Sequence, residues 1–129
     1  MSTITRFEDI EAWQKARELT REIYVASNIW PFAKGFGLRD QIRRATVSIM
    51  SNIAEGFERG GDKEFSQFIA LAKGSAGEVR SQLYVALDQG YISKDSFDRL
   101  SEVTININRM LAGLMKYLRI SGYRGSKYK

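Results

Sequence analysis

Four polar residues, Arg44, Ser48, Asn52 and Glu55, recur at steps of four, four and three. On a helix this spacing puts them in one row, where a guanidinium, a hydroxyl, an amide and a carboxylate could converge on a ligand. Ser75, Glu78 and Gln82 form a similar row further along. Helical bundles build metal sites from facing rows of this kind, but the di-iron pattern also needs a Glu-x-x-His step. The 129 residues contain no histidine and no cysteine. The usual nucleophile–base pairs and soft-metal sites are therefore excluded. Carboxylates alone suit hard cations, yet no segment has the spacing of a calcium loop. The glycine-rich run ERGGDKE lacks the lysine–serine spacing of a phosphate-binding loop. The expectation is a protein that is not an enzyme, with no metal, no cofactor and no small-molecule substrate.

The polar rows then read as structural. A turn near Gly60-Gly61 folds the chain back, which sets Arg44 opposite residue 77 and within reach of Glu78. Arg44 and Glu78 are expected to pair at the helix interface. Losing one partner of a buried pair would cost about 3–5 kcal/mol.

The elements that place these rows are helices. The chain has one proline, Pro31, and long runs of good helix formers. A first helix is expected over about 7–29, with Ile10, Trp13, Ala16, Leu19, Ile23 and Ala26 on one face. Trp30-Pro31 ends it, because the residue before proline is pushed out of helical geometry. The loop WPFAKGFG carries three aromatics, Trp30, Phe32 and Phe36. Such rings either tuck over the end of a core or face a partner, and tucking is the commoner outcome. A second helix, about 38–59, buries Leu38, Ile42, Ala45, Ile49, Ile53 and Gly56. Val47, Met50, Ala54 and Phe57 form a second apolar row on it. A surface helix needs only one apolar face, so this row is the candidate subunit contact. Asp62 is the expected N-cap of a third helix over about 62–89, with Phe65, Phe68, Ala72, Ala76, Val79, Leu83 and Ala86 facing the core. Gly74 and Gly77 inside it cost roughly 1 kcal/mol each, which suggests close approach by a neighbouring helix. A fourth helix, about 94–118, carries a heptad stripe of Phe97, Leu100, Thr104, Ile107, Leu111, Leu114 and Leu118. The fold class is all-α, an antiparallel, left-handed, up-and-down four-helix bundle over residues 1–118, with 119–129 as a basic flexible tail.

The net charge of +5 is uneven. Residues 1–60 hold nine basic and eight acidic side chains, and 61–118 hold seven of each. The last eleven hold four basic residues, Arg119, Arg124, Lys127 and Lys129, and no acidic one. This surplus serves either as a solubilising tail or as an arm for phosphate backbones. No apolar run approaches the roughly 20 residues that span a bilayer, and MSTITRFEDIE has no signal-peptide core. A cytoplasmic protein with no membrane partner is expected, and the lack of cysteine suits that compartment.

The runs IRRATVSIMSNIAEGFERG and EFSQFIALAKGSAGEV carry a resemblance. With FEDIEAWQKARELTREIY, WPFAKGFGLRDQIRRA and LDQGYIS they are similar to the four-helix-bundle family encoded in intervening sequences of bacterial 23S ribosomal RNA genes. The most specific pieces are Ser51–Gly56 and Lys73–Ser75. The chain departs from the pattern at Met50, where members usually carry proline, and at Gly77, where a larger apolar residue is usual. The resemblance implies a left-handed bundle that assembles as a homopentamer. It extends more distantly to the accessory protein of diversity-generating retroelements, a basic pentameric bundle that binds nucleic acid. No catalytic residues carry over.

Two functions are therefore expected. One is an oligomeric, non-enzymatic bundle that binds RNA or DNA through a basic surface. Five copies would carry roughly +25, so a modest charge becomes a strong field. The candidate contacts are Lys34, Arg39 and Arg43 near one end of the second helix, Arg59 and Lys63 near the other, and Arg124, Lys127 and Lys129 in the tail. The alternative is a structural or protein-interaction module with no nucleic-acid partner.

Overall fold

The period of three and four in the apolar residues gives four helices: α1 (Glu11–Ser27), α2 (Phe36–Glu58), α3 (Asp62–Asp88) and α4 (Lys94–Ser121). They come from a computed structural model, which describes residues 4–121. Each helix turns one stripe inward. Leu19 and Ile23 of α1, Ile42, Ile49 and Ile53 of α2, Phe65, Ile69 and Leu83 of α3, and Leu100, Ile107 and Leu111 of α4 make one buried core. No strand occurs among the described residues, and no described helix is long and apolar enough to cross a membrane.

Side-chain contacts fix the pairing. Between α1 and α2, Thr20 meets Met50 and Ser27 meets Arg43. Between α2 and α3, Ser48 meets Ser75 and Phe57 meets Phe65. Between α3 and α4, Lys73 meets Asn108 and Tyr84 meets Phe97. In every pair one number rises as the other falls, so consecutive helices run antiparallel. Glu22 of α1 pairs with Arg99 of α4, which closes the ring of four.

Several boundaries differ from the sequence reading. Phe7–Asp9 form a separate 3-10 turn, and Ile10 is extended, so α1 starts at Glu11. Gly61, not Asp62, occupies the N-cap position of α3, and no side chain caps it. Asp62 is the first helical residue, with both carboxylate oxygens buried and no hydrogen-bond partner. Ile69 replaces Phe68 in the core stripe, because Phe68 packs over Gly56, where a Cβ would lie 2.6 Å from Phe68 Cβ. Helix α2 runs unbroken through Met50. Helix α4 continues past Leu118 to Ser121, so Arg119 and Ile120 are helical rather than part of a tail.

The expected Arg44–Glu78 ion pair is absent. Both side chains are exposed, and no carboxylate lies within ion-pair distance of Arg44 among the described residues. The interface at this level is held instead by Ser48 and Ser75, whose hydroxyls are 2.9 Å apart, with the Asn52 amide donating to Ser48. Arginine and glutamate keep their hydration by pointing outward, and two small hydroxyls let the backbones approach.

Candidate nucleic-acid interface

The connection from α1 to α2 sets the character of one end of the bundle. Its Trp30-Pro31 peptide is cis, and Phe32–Lys34 make a 3-10 turn. Phe32 is fully buried and stacks on Tyr91, with ring centroids 5.1 Å apart. Gly35 sits against the same tyrosine, where a Cβ would fall 2.6 Å from its hydroxyl oxygen. With Phe32 and Gly35 clamped, Trp30 and Phe36 are turned outward, 70% and 61% exposed. Val25 and Ile29 beside them are also more than half exposed.

Three exposed rings at this end carry a cation. Lys34 Nζ lies 5.3 Å from the Trp30 centroid, and Arg39 Cζ lies 4.7 Å from that of Phe36. Arg43 Cζ lies 4.6 Å from the centroid of Tyr24 on α1. The two arginines are held at their bases. Arg39 donates to the Ala33 carbonyl at 2.9 Å and to Asp40 at 3.2 Å, and Arg43 Nε donates to Ser27 Oγ at 2.8 Å. Cations fixed over ring faces keep their charge in solvent while their stems and the rings share apolar contact.

From Tyr24 and Arg43 an open groove of about 1020 Å³ runs along the outer face of α2. Gln41, Arg44, Ser48 and Ser51 form its floor, and Glu78 of α3 stands on its far wall. Small side chains at Ala45, Ser48 and Ser51 create the depression.

The remaining predicted contacts lie elsewhere. Arg59 and Lys63 are at the opposite end of the bundle; Arg59 is twenty residues along from Arg39, or about 30 Å at the helical rise. Arg59 is bound to Glu55 at 2.7 Å and Glu64 at 3.4 Å, and its guanidinium covers Phe68. The Glu55 hydrogen bond leads the effects that raise its pKa. Lys63 is exposed. Arg124, Lys127 and Lys129 lie outside the described residues. The second apolar row of α2 is split: Val47 is exposed, Met50 and Ala54 are half-buried, and Phe57 is core. Phe57 packs edge-on against Phe65, 5.9 Å between centroids, so it is no surface for a second subunit. Met50 is turned toward α1, where Thr20 meets its sulfur.

Sequence reasoning did not pick out Tyr24. Its partner Arg43 is nineteen residues away, and only the pairing of α1 with α2 brings them together.

Known proteins bear on this geometry at the level of fold and family. A crystal structure of a protein with unknown function from the S23 ribosomal protein family of Bacteroides thetaiotaomicron superposes with a TM-score of 0.73. The two chains are 21% identical, and the match covers 81% of this chain and 95% of that one, a likeness of fold. No protein with a curated description matches this chain. The family described as 23S rRNA-intervening sequence protein matches residues 8–113, from the first 3-10 turn to the last third of α4, and the chain belongs to that family.

Proposed function

We propose that this protein is a non-enzymatic, self-associating bundle that binds RNA or another nucleic acid through its basic, aromatic end. One observation carries the reading: three cations, Lys34, Arg39 and Arg43, each sit over an aromatic ring at the same end. Cations meet phosphates, and exposed rings meet bases, so the pairing of the two fits a nucleic acid better than an acidic protein. In this reading the protein works in the cytoplasm. A filter-binding titration tests it. Affinity for RNA or DNA is expected at low salt, with log K falling against log salt at a slope of about −2 to −3 for three or four phosphates on a single strand. No affinity at low salt overturns the reading.

Self-association has its own support on the outer face of α3. An added Cβ on Gly74 or Gly77 would meet nothing within 4 Å, so neither glycine serves packing inside the protomer. Leu71 and Val85 flank them, 57% and 43% exposed. A helix of a second copy has room to approach closely there. The same face is what favours the second reading, a protein-interaction module without nucleic acid. Light scattering that returned a 14.7 kDa monomer at micromolar concentration would remove the self-association.

A further inference from the structure

We infer that the ligand of the basic, aromatic end is a single strand. Its bases stack on Trp30 and Phe36, and its backbone continues past Tyr24 along the α2 groove over Arg44. The inference rests on the nucleic-acid reading above and narrows it. A duplex hides its base faces inside its own stack and offers a protein only phosphates, sugars and base edges. A surface made for a duplex needs cations alone. Here every one of the three cations is matched with a ring, and Trp30 and Phe36 are the most exposed of the three rings. Only an unstacked base has a flat apolar face to cover them.

The support beneath the rings points the same way. Phe32 is buried on Tyr91 and Gly35 rests on the same ring, so Trp30 and Phe36 are presented from a fixed turn. Arg39 and Arg43 are tethered through Ala33 and Ser27 before any ligand arrives. A platform set in advance loses little freedom on binding. From Phe36 to Ser51 the outer face of α2 spans fifteen residues, roughly 22 Å. An unstacked strand is more extended than the stacked spacing of about 3.4 Å per nucleotide, so this is a track for fewer than about six. Arg43 and Arg44 are the cations on that track with no carboxylate at ion-pair distance among the described residues, whereas Arg39 pairs with Asp40. Two carboxylates also line the groove: Asp40 on α2 is matched by Arg39 at 3.2 Å, and Glu78 on α3 repels phosphates from that side. Stacking on a ring face does not read base edges, so little sequence preference is expected.

The test compares a ten-nucleotide single strand with a blunt duplex of the same sequence. Binding is measured for the intact chain and for the double variant Trp30→Ala, Phe36→Ala. Both rings are exposed, so the variant folds, and an unchanged melting temperature checks that it does. The single strand is expected to bind at least about tenfold tighter than the duplex, and the variant to lose about tenfold or more for the single strand alone. Equal affinity for the two forms, with the variant unchanged or weakened equally for both, overturns the single-strand inference and leaves nucleic-acid binding standing. No binding of either form overturns both. Trp30→Phe, which retains a ring, is expected to restore most of the lost affinity. Its failure to do so also counts against stacking.

Discussion

Phe32 and Tyr91 stack with their planes 18° apart, and this one contact decides how the α1–α2 connection is used. It draws the middle aromatic of WPFAKGF into the core and leaves the outer two on the surface. Three rings within seven residues thus do two different jobs. The inward ring is part of the core, and in the proposed reading the outward pair supplies the binding face.

Truncating these rings should separate the jobs. Phe32→Ala removes a fully buried ring and is expected to cost about 3–5 kcal/mol. At this chain length that lowers the melting temperature by roughly 10–20 °C. Trp30→Ala should stay within about 0.5 kcal/mol of the parent, because most of its surface is already in water. Thermal unfolding followed by circular dichroism, at one protein concentration, compares them. Equal losses from both variants would sink this division of roles.

The glycines make a second contrast. Gly56→Ala places a Cβ 2.6 Å from Phe68 Cβ and 3.0 Å from the Phe65 ring, so it overpacks the α2–α3 contact. A loss of about 1–3 kcal/mol is expected in urea unfolding. Gly74→Ala and Gly77→Ala meet open space and should each favour the helix by about 1 kcal/mol within a protomer. If α3 is the face between copies, the same methyl groups hold a second helix away. The pair of substitutions should then shift light scattering toward the 14.7 kDa species. Unchanged assembly would point to another face.

Much of the fold is legible in the sequence, because helical period is a local property. The stripes of α2 and α4, the break at Pro31 and the turn at Gly60-Gly61, where Gly60 has φ +87°, follow from residue types and spacing. What is not legible depends on rotation and on distant partners. A shift of one residue on α3 puts Ile69 in the core and leaves Phe68 half-buried over Gly56. The reading of Val47, Met50, Ala54 and Phe57 as one row fails for the same reason, since a helix wedged between two neighbours buries parts of two faces. The candidate site was half visible. Lys34, Arg39 and Arg43 stand out as charges, but their seats on Trp30, Phe36 and Tyr24 need the turn and the helix pairing to exist first.

The α2–α3 polar row yields a third test. Glu78→Gln should leave stability within about 0.5 kcal/mol, because the carboxylate is exposed and unpaired with Arg44. Ser75→Ala removes a buried hydroxyl 2.9 Å from Ser48 and should cost about 1 kcal/mol. Denaturant midpoints measured side by side decide it. A larger loss from Glu78→Gln than from Ser75→Ala would restore the ion pair as the structural contact.

Charge removal at the two ends of the bundle gives the last test, and it does not depend on the strandedness of the ligand. Arg39 and Arg43 are tethered to Ala33 and Ser27 on their inner sides, with guanidinium groups over exposed rings; Arg39 has one carboxylate partner, Asp40, and Arg43 has none among the described residues. Arg59 is instead held between Glu55 and Glu64, so its charge is largely matched within the protein, and Lys63 lies beside it at the far end. Both double variants, Arg39→Gln with Arg43→Gln and Arg59→Gln with Lys63→Gln, lower the net charge by the same amount. A long-range field would weaken equally for the two. A local site should respond only to the first, with the salt slope falling by about 1.4 on a single strand as two phosphate contacts are lost. Equal slopes and equal affinities for the two variants would move the interface away from the α1–α2 end and leave net charge as the whole of the attraction.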